Sequence, residues 1–364
     1  MKNYVKKFYT TTCFIGHLIE NYDKALFLLI APVLAPLFFK SNNFTTSLIS
    51  IYALVPFKRL AKILGALCLG SLGDKYGRGP ILSISLWGMG LSTLAIGCIP
   101  TYDQVGVLAP ILLSLATSLQ NFFGSAESAG SSLYILENTP PKKKNILSSL
   151  FDSCALGGFL LASALMVVLG YLTSLEKAWR SVFIIGGLVT LSFNFVRFRS
   201  CETDEFIQAR YDKKLPLLDM IKTSFPLLAG LSLVSSFAYL TWSLAFTLMN
   251  VLLPLVSDIT YNEVLRINTL LLVVDMCALP LFGFLAQKIS KERLMFFAAL
   301  LMCLLVAPTF YYLKGATIVS ATTIRFMIIF IGVAFSAPYH HWMQDVTPVK
   351  KRYTLISLSH AIGA

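Results

Sequence analysis

Long apolar blocks separated by short polar loops leave this chain few folds to choose from. Each block runs about 20 residues or more, enough for a helix to cross a hydrocarbon layer about 30 Å thick. The blocks lie near 11–38, 46–71, 80–99, 106–136, 146–172, 179–198, 225–256, 264–286, 294–313 and 317–343, and an eleventh begins near 353. They lack the period-2 alternation of membrane strands, so the expected class is all-α, a polytopic membrane protein. Only 13% of the 364 residues are charged and 56% are hydrophobic, whereas a soluble domain carries about 25% charged residues.

The net charge of +12 would suit a nucleic-acid partner, but its placement assigns it to topology. Lys2, Lys6 and Lys7 precede the first block. Basic loops then recur as Lys75/Arg78, Lys142 to Lys144, Arg197 to Lys222, Lys288/Lys291/Arg293 and Lys350 to Arg352. The loops between them hold only Lys40, Lys177, Arg180, Arg266 and Lys314. Such alternation is the positive-inside pattern and predicts a cytoplasmic N-terminus, with a lipid bilayer and no nucleic acid as partner. A cleavable signal peptide is not expected, because the first block is too long and leads straight into further spans.

The chain writes one loop twice. Gly70-Ser71-Leu72-Gly73-Asp74-Lys75-Tyr76-Gly77-Arg78 returns in worn form as Gly283-Phe284-Leu285-Ala286-Gln287-Lys288-Ile289-Ser290-Lys291. A second loop, Glu137-Asn138-Thr139-Pro140-Pro141-Lys142-Lys143-Lys144, returns as Asp345-Val346-Thr347-Pro348-Val349-Lys350-Lys351-Arg352. Both offsets are about 210 residues, the mark of a duplicated membrane unit. The polar stretch Arg199–Thr223 divides the copies. The expected organisation is therefore a first six-helix bundle over 1–198, a cytoplasmic linker over 199–224 and a second bundle over 225–364. Projected through the offset, the second bundle stops roughly 40 residues early, so a truncated twelve-span unit with about 10 to 11 spans present is expected.

In the first loop, glycines 70 and 73 would let helix ends approach closely, and Gly77 suits a tight turn. Asp74 can accept from a neighbouring helix N-terminus while Arg78 reaches another acidic group, a latch between the two halves. Charges inside the apolar blocks demand partners or a wet cavity. Asp23, Glu127 and Asp275 are the candidates for carrying a proton, since an unpartnered carboxylate in a span is suited to that task. A structural ion pair of Asp23 with Lys62 or Arg59 is the competing reading. Lys58, Arg59 and Lys62 could grip a substrate carboxylate, although Lys58 could equally pair structurally or border water. Arg325 is either an anion contact or a side chain snorkelling to the outer surface. His17, His340 and Trp342 read first as packing residues, as do Trp242, Tyr239 and Asn250, although the latter three could line a cavity. The seven cysteines are scattered and the four histidines lack ligand spacing, so no metal or cofactor is expected. No phosphate-binding Gly-x-x-x-x-Gly-Lys-Ser/Thr loop and no Gly-x-Ser-x-Gly segment occurs, so no enzyme is expected.

The Gly-x-Leu-Gly-Asp-Lys-Tyr-Gly-Arg loop resembles that of the major facilitator superfamily. Gly16-His17-Leu18-Ile19-Glu20-Asn21-Tyr22-Asp23, Gln120-Asn121-Phe122-Phe123-Gly124-Ser125-Ala126-Glu127 and Trp179-Arg180-Ser181-Val182-Phe183 resemble segments of its metabolite:proton symporters, as does Glu202-Thr203 with Phe206. That subfamily includes proline/betaine, 2-oxoglutarate, shikimate and citrate carriers. The resemblance implies two similar helix bundles around a central cavity lined by spans 1 and 4, in a bacterial inner membrane. It also implies proton-coupled symport of a small zwitterionic or carboxylate solute, proline/betaine-like, by alternating access. Thr117 stands where the family shows the Arg usually linked to coupling, Asn21 and Lys24 alter the aromatic-rich opening segment, Gln287 replaces the second Asp, and Lys62-Ile63-Leu64-Gly65 replaces an Arg-Pro-x-Gly segment. Two alternatives follow: a non-transporting truncated remnant or membrane sensor, and an organic anion or sugar-phosphate exchanger built on Lys58, Arg59 and Lys62.

Overall fold

The computed structural model describes residues 2–40, 43–172, 175–197, 222–313 and 315–364. Most of the polar segment 199–224, with the Glu202–Phe206 resemblance, lies outside them. The described helices are α1 (Lys2–Phe38), α2 (Phe44–Tyr52), α3 (Val55–Tyr76), α4 (Arg78–Cys98), α5 (Tyr102–Val105), α6 (Leu108–Glu137), α7 (Lys144–Leu172) and α8 (Leu175–Arg197). After residue 221 come α9 (Phe225–Ser243), α10 (Met249–Val256), α11 (Tyr261–Lys288), α12 (Lys291–Tyr312), α13 (Ile318–Ser336), α14 (Tyr339–Val346) and α15 (Arg352–Gly363). Eight of the described helical stretches are long and apolar enough to cross a membrane. Helices α3 and α6 match them in length but carry more polar side chains, including Lys58, Arg59, Lys62 and Asp74 in α3.

Two expected continuous spans are interrupted. The block 46–71 turns at Ala53–Leu54, because Pro56 sits in the first turn of α3, where a missing backbone N–H costs nothing. The block 317–343 breaks at Ala337–Pro338, where proline again opens a new helix, α14. The block 225–256 stays helical but widens to a π turn over Leu244–Leu248.

The duplication is visible in the backbone. Pro141–Lys143 and Val349–Lys351 each form one 3-10 turn between two helices. Their preceding prolines adopt the same conformation, φ −57° and ψ 143° at Pro140 and φ −59° and ψ 135° at Pro348.

Helices α1, α3, α4, α6, α7 and α8 pack into one bundle. Close approach rests on small residues: a Cβ on Gly158 of α7 would lie 2.4 Å from the Leu18 carbonyl oxygen of α1. The later helices form a second group that meets the first along α11 against α7 and α15 against α3. One apolar cluster runs through both, joining Ala66, Ala126 and Leu156 to Leu231, Leu279 and Ile356, while two others lie within the first bundle. The outer surface is apolar as well: Leu233, Leu255, Leu281 and Val319 are 70–75% exposed. Water would penalise such a surface by about 25 cal/mol per Å², whereas lipid tails accept it.

Candidate functional site

The repeated loops gather at one end of the molecule and close it. Asp74, at the end of α3, accepts hydrogen bonds from the first turn of α15: from the Tyr353 amide at 3.1 Å, the Thr354 amide at 2.9 Å and the Thr354 hydroxyl at 2.7 Å. A carboxylate there meets both unsatisfied N–H groups and the positive end of the helix dipole. Gly73 makes room for this approach, since a Cβ would fall 2.0 Å from the Tyr353 ring. Gly70 does the same against the Thr354 backbone, at 2.9 Å, and Gly77 turns the chain with φ 113°. Arg78 donates to Glu137 at 3.2 Å, and Arg352 donates to the same carboxylate at 3.2 Å from the second group of helices.

The second copy uses the same positions with weaker chemistry. Lys291 pairs with Asp345 at 2.7 Å, the counterpart of Arg78 with Glu137. Gln287 donates to the Lys142 carbonyl at 2.6 Å, and Gly283 lies against Ser149 and Asn145 of α7. Asn145 completes this side by donating to the Ala286 carbonyl at 2.8 Å and meeting His341.

Beyond this closure lies a cavity of about 450 Å³ between the two groups of helices. The first group contributes a cationic wall of Lys24, Lys58, Arg59 and Lys62. Lys58 and Lys62 are four apart on α3 and share a face. The Lys58 ammonium lies 3.1 Å from the centroid of the Phe27 ring, and that of Lys62 lies 5.7 Å from Tyr239 across the cavity. Facing them are Tyr239, Trp242, Phe246 and Asp275. His17, Asp152, His340 and His360 also line this space. Among the described residues no three His, Cys, Asp or Glu side chains converge closely enough to ligate a metal ion.

The three carboxylates named from the sequence have three different fates. Asp275 lines the cavity and has no hydrogen-bond or ion-pair partner among the described residues. Asp23 is buried beside the cavity in a recess of about 20 Å³ shared with Glu20, Lys24, Lys62 and Gln120. Thr93 donates to it at 3.1 Å and itself accepts from Gln120 at 2.8 Å; among the described residues Asp23 forms no ion pair with Lys62 or Arg59. Glu127 is off the cavity: it holds Arg197 at 2.7 Å and Ser131 at 2.7 Å, and both charged side chains are fully buried. Burial of the pair explains why neither faces solute: each is the other's compensation.

Arg325 also departs from expectation. It does not snorkel outward and does not line the cavity; it is fully buried. Its guanidinium donates to the Ala245 carbonyl inside the π turn at 3.1 Å, to Asn250 at 3.1 Å, and to Asn268. A π turn leaves a carbonyl without its usual helical donor, and Arg325 supplies one. Residues the sequence reading left aside prove central: Glu20 accepts from Ser128 at 2.7 Å and pairs with Lys24, and Arg197, counted there as a loop cation, is buried in the first bundle. Glu20 lay within the Gly16–Asp23 motif, which was its available signal.

The sequence profile described as Major Facilitator Superfamily matches residues 13–364. The proline/betaine transporter of Escherichia coli (strain K12) is 26% identical over 375 residues, covering 97% of this chain and 74% of that protein. The inner membrane metabolite transport protein YhjE of the same organism is 26% identical over 368 residues, covering 96% and 82%. Among solved structures, the proton:xylose symporter XylE bound to 6-bromo-6-deoxy-D-glucose superposes with a TM-score of 0.79 at 16% identity, over 100% of this chain and 86% of that one. A bacterial homologue of the iron transporter ferroportin in its outward-facing state superposes with a TM-score of 0.74 at 16% identity, over 98% and 89%. Fold, repeat and profile agree that this multi-pass membrane protein is a transporter and not an enzyme, and the chain belongs to the Major Facilitator Superfamily.

Proposed function

We propose that the chain moves a small zwitterionic or carboxylate solute together with protons across a bacterial inner membrane. The observation that carries this reading is the central cavity, cationic on one wall and acidic and aromatic on the other, above a closed end. Lys58, Arg59 and Lys62 hold the solute carboxylate, and Asp275 with Trp242 and Tyr239 receives its positive end. Proline and glycine betaine carry these two charges, and the relatives' names support them as first candidates. Asp275 and Asp23 are the groups for the proton, because neither has a cationic partner among the described residues.

In this reading residues 1–198 move as one body against 225–364, with 199–224 as the connecting linker. The closed end and the N-terminus face the cytoplasm, following the basic loops. Parting the Asp74 and Gln287 contacts while closing the opposite end exposes the cavity to the other side. Proton and solute drive that exchange only through their different affinities for the two states.

The test is uptake of labelled proline and glycine betaine by liposomes holding the full chain, with an imposed pH gradient. Gradient-driven accumulation abolished by a protonophore is expected. Protonophore-insensitive, phosphate-dependent exchange would instead establish the anion exchanger, and absence of proline and glycine betaine uptake would remove these two as the solutes.

A further inference from the structure

The fully buried Arg325 forms no ion pair among the described residues, and its acceptors are neutral oxygens on helices other than its own. One is the Ala245 carbonyl in the π turn, one belongs to Asn250 in α10 just beyond that turn, and one to Asn268 in α11. The turn and α11 both carry parts of the acidic and aromatic wall of the cavity. Phe246, directly after Ala245, faces the cavity, and its ring centroid lies 5.5 Å from that of Trp242. Phe159 of the first bundle adds a third ring, 5.6 Å from Trp242. On α11, Asn268 stands two turns before Asp275 on the same face. Arg325 thus ties to one point the turn that carries Phe246 and the helix that carries Asp275, without lining the cavity itself. We propose that Arg325 is a positioning residue that assembles Phe159, Trp242, Phe246 and Asp275 into a subsite for a methylated ammonium, and so sets a preference for methylated over bare amines. The inference rests on the solute reading above, in which this wall meets the solute's positive end.

The π turn is what brings the rings together. Residues four apart overshoot one turn of an α-helix by about 40°. A turn closed by i→i+5 bonds holds more residues, so Phe246 comes back over Trp242. The same geometry leaves the Ala245 carbonyl short of its helical donor, and the guanidinium supplies one through a charged hydrogen bond. Its planar fork meets several oxygens at fixed angles, which a lysine ammonium on a flexible stem does not. Without the guanidinium these oxygens lose their donor, and the turn relaxes toward regular helix, rotating the Phe246 ring off Trp242.

Aromatic faces sort cations by their hydration. A bare ammonium is compact and strongly hydrated, and ring faces do not replace the hydrogen bonds it makes to water. N-methyl groups remove those donors, present apolar surface and still carry the charge, which suits a cluster of rings. Each methyl fully withdrawn from water onto such a wall adds about fourfold in affinity.

The experiment measures binding of glycine, sarcosine, dimethylglycine and glycine betaine to the full chain in nanodiscs by isothermal titration. The four share one carboxylate at one distance from the nitrogen and differ only in N-methyl groups. The parent chain is expected to bind betaine at least about tenfold more tightly than glycine. Arg325→Gln is expected to cut that ratio to about twofold. Loss of folded protein lowers the number of sites for all four solutes alike and leaves the ratio unmoved, so the ratio separates positioning from stability. Should the glutamine variant not fold, Arg325→Lys is read in its place; it keeps the charge without the fork, and its ratio is expected to fall below the parent's. A parent that ignores methylation, or a variant that keeps the parent's ratio, overturns this inference and leaves the solute reading standing. Failure of all four to bind the parent overturns the solute reading and this inference with it.

Discussion

Asp74→Asn tests what holds the latch shut. The carboxylate accepts three hydrogen bonds, two on Oδ2 from Thr354 and one on Oδ1 from Tyr353. An asparagine keeps one acceptor oxygen. Its best orientation leaves that oxygen toward Thr354 and turns an amide N–H₂ against the Tyr353 N–H, donor against donor. One bond is then lost, at about 1–3 kcal/mol for a buried unsatisfied group. The two that survive fall from charged to neutral, about 1 kcal/mol each. Loss of the favourable charge at the α15 N-terminus removes about 0.3–1 kcal/mol more. The closed state weakens by about 3 kcal/mol at the low end, or roughly a hundredfold in the closed-to-open ratio. The distance between spin labels on cysteines introduced by Lys143→Cys and Lys350→Cys, one in each 3-10 turn, measures it in the full chain in nanodiscs. If the closed population of Asp74→Asn matched the parent and Asp74→Ala did no more, the contacts at this helix end would carry no weight in closure.

Four further outcomes are expected. Asp275→Asn should abolish pH-driven accumulation and raise the KM of the solute exchange that remains, since Asp275 also meets the solute's positive end; undiminished accumulation in liposomes would remove Asp275 from coupling. Lys58→Gln together with Lys62→Gln should raise the KM for a carboxylate solute by roughly tenfold, as expected for loss of a charged hydrogen bond, with equal KM values counting against the cationic wall. Glu127→Gln should act on stability, losing about 3–5 kcal/mol because Arg197 is left buried and unpaired; a variant with unchanged thermal unfolding would contradict this. Outside the membrane, the Thr260 hydroxyl and backbone N–H hold the Glu263 carboxyl below its ordinary value. That capping contribution is present at neutral pH and is lost as pH falls through the depressed value, so the protection of the first-turn amides of α11, taken relative to their intrinsic exchange rate at each pH, should fall in acid and not in alkali.

Most spans were legible because length and apolarity decide them, and charge in the loops gave the alternation. Pro56 and Pro338 were visible but sat within apolar runs, so the turns they impose were read through. Asp74 was legible because its partner is a backbone helix end, which needs no particular residue opposite. Partners distant in sequence were not. Glu127 meets Arg197 some 70 positions on, and Arg197 looked like the first cation of a polar linker. Asp152 and His340 stand 188 positions apart on different bundles. Arg325 carried a charge that suggested ligand or lipid, whereas its use is to satisfy a carbonyl that the π turn releases, and no local signal in the sequence marks such a turn.

The two copies of the repeated loop hold the bundles with unlike materials. On one side a carboxylate grips a helix end and Arg352 reaches Glu137, both charged contacts. On the other, Gln287, Asn145 and His341 meet backbone and amide groups. Restraints of unequal stiffness turn separation into a swing, as on a door: the amide side gives first and the charged side serves as the jamb. The charges of the jamb are buried, so added salt screens them little, and the swing should keep its hinge side at high ionic strength.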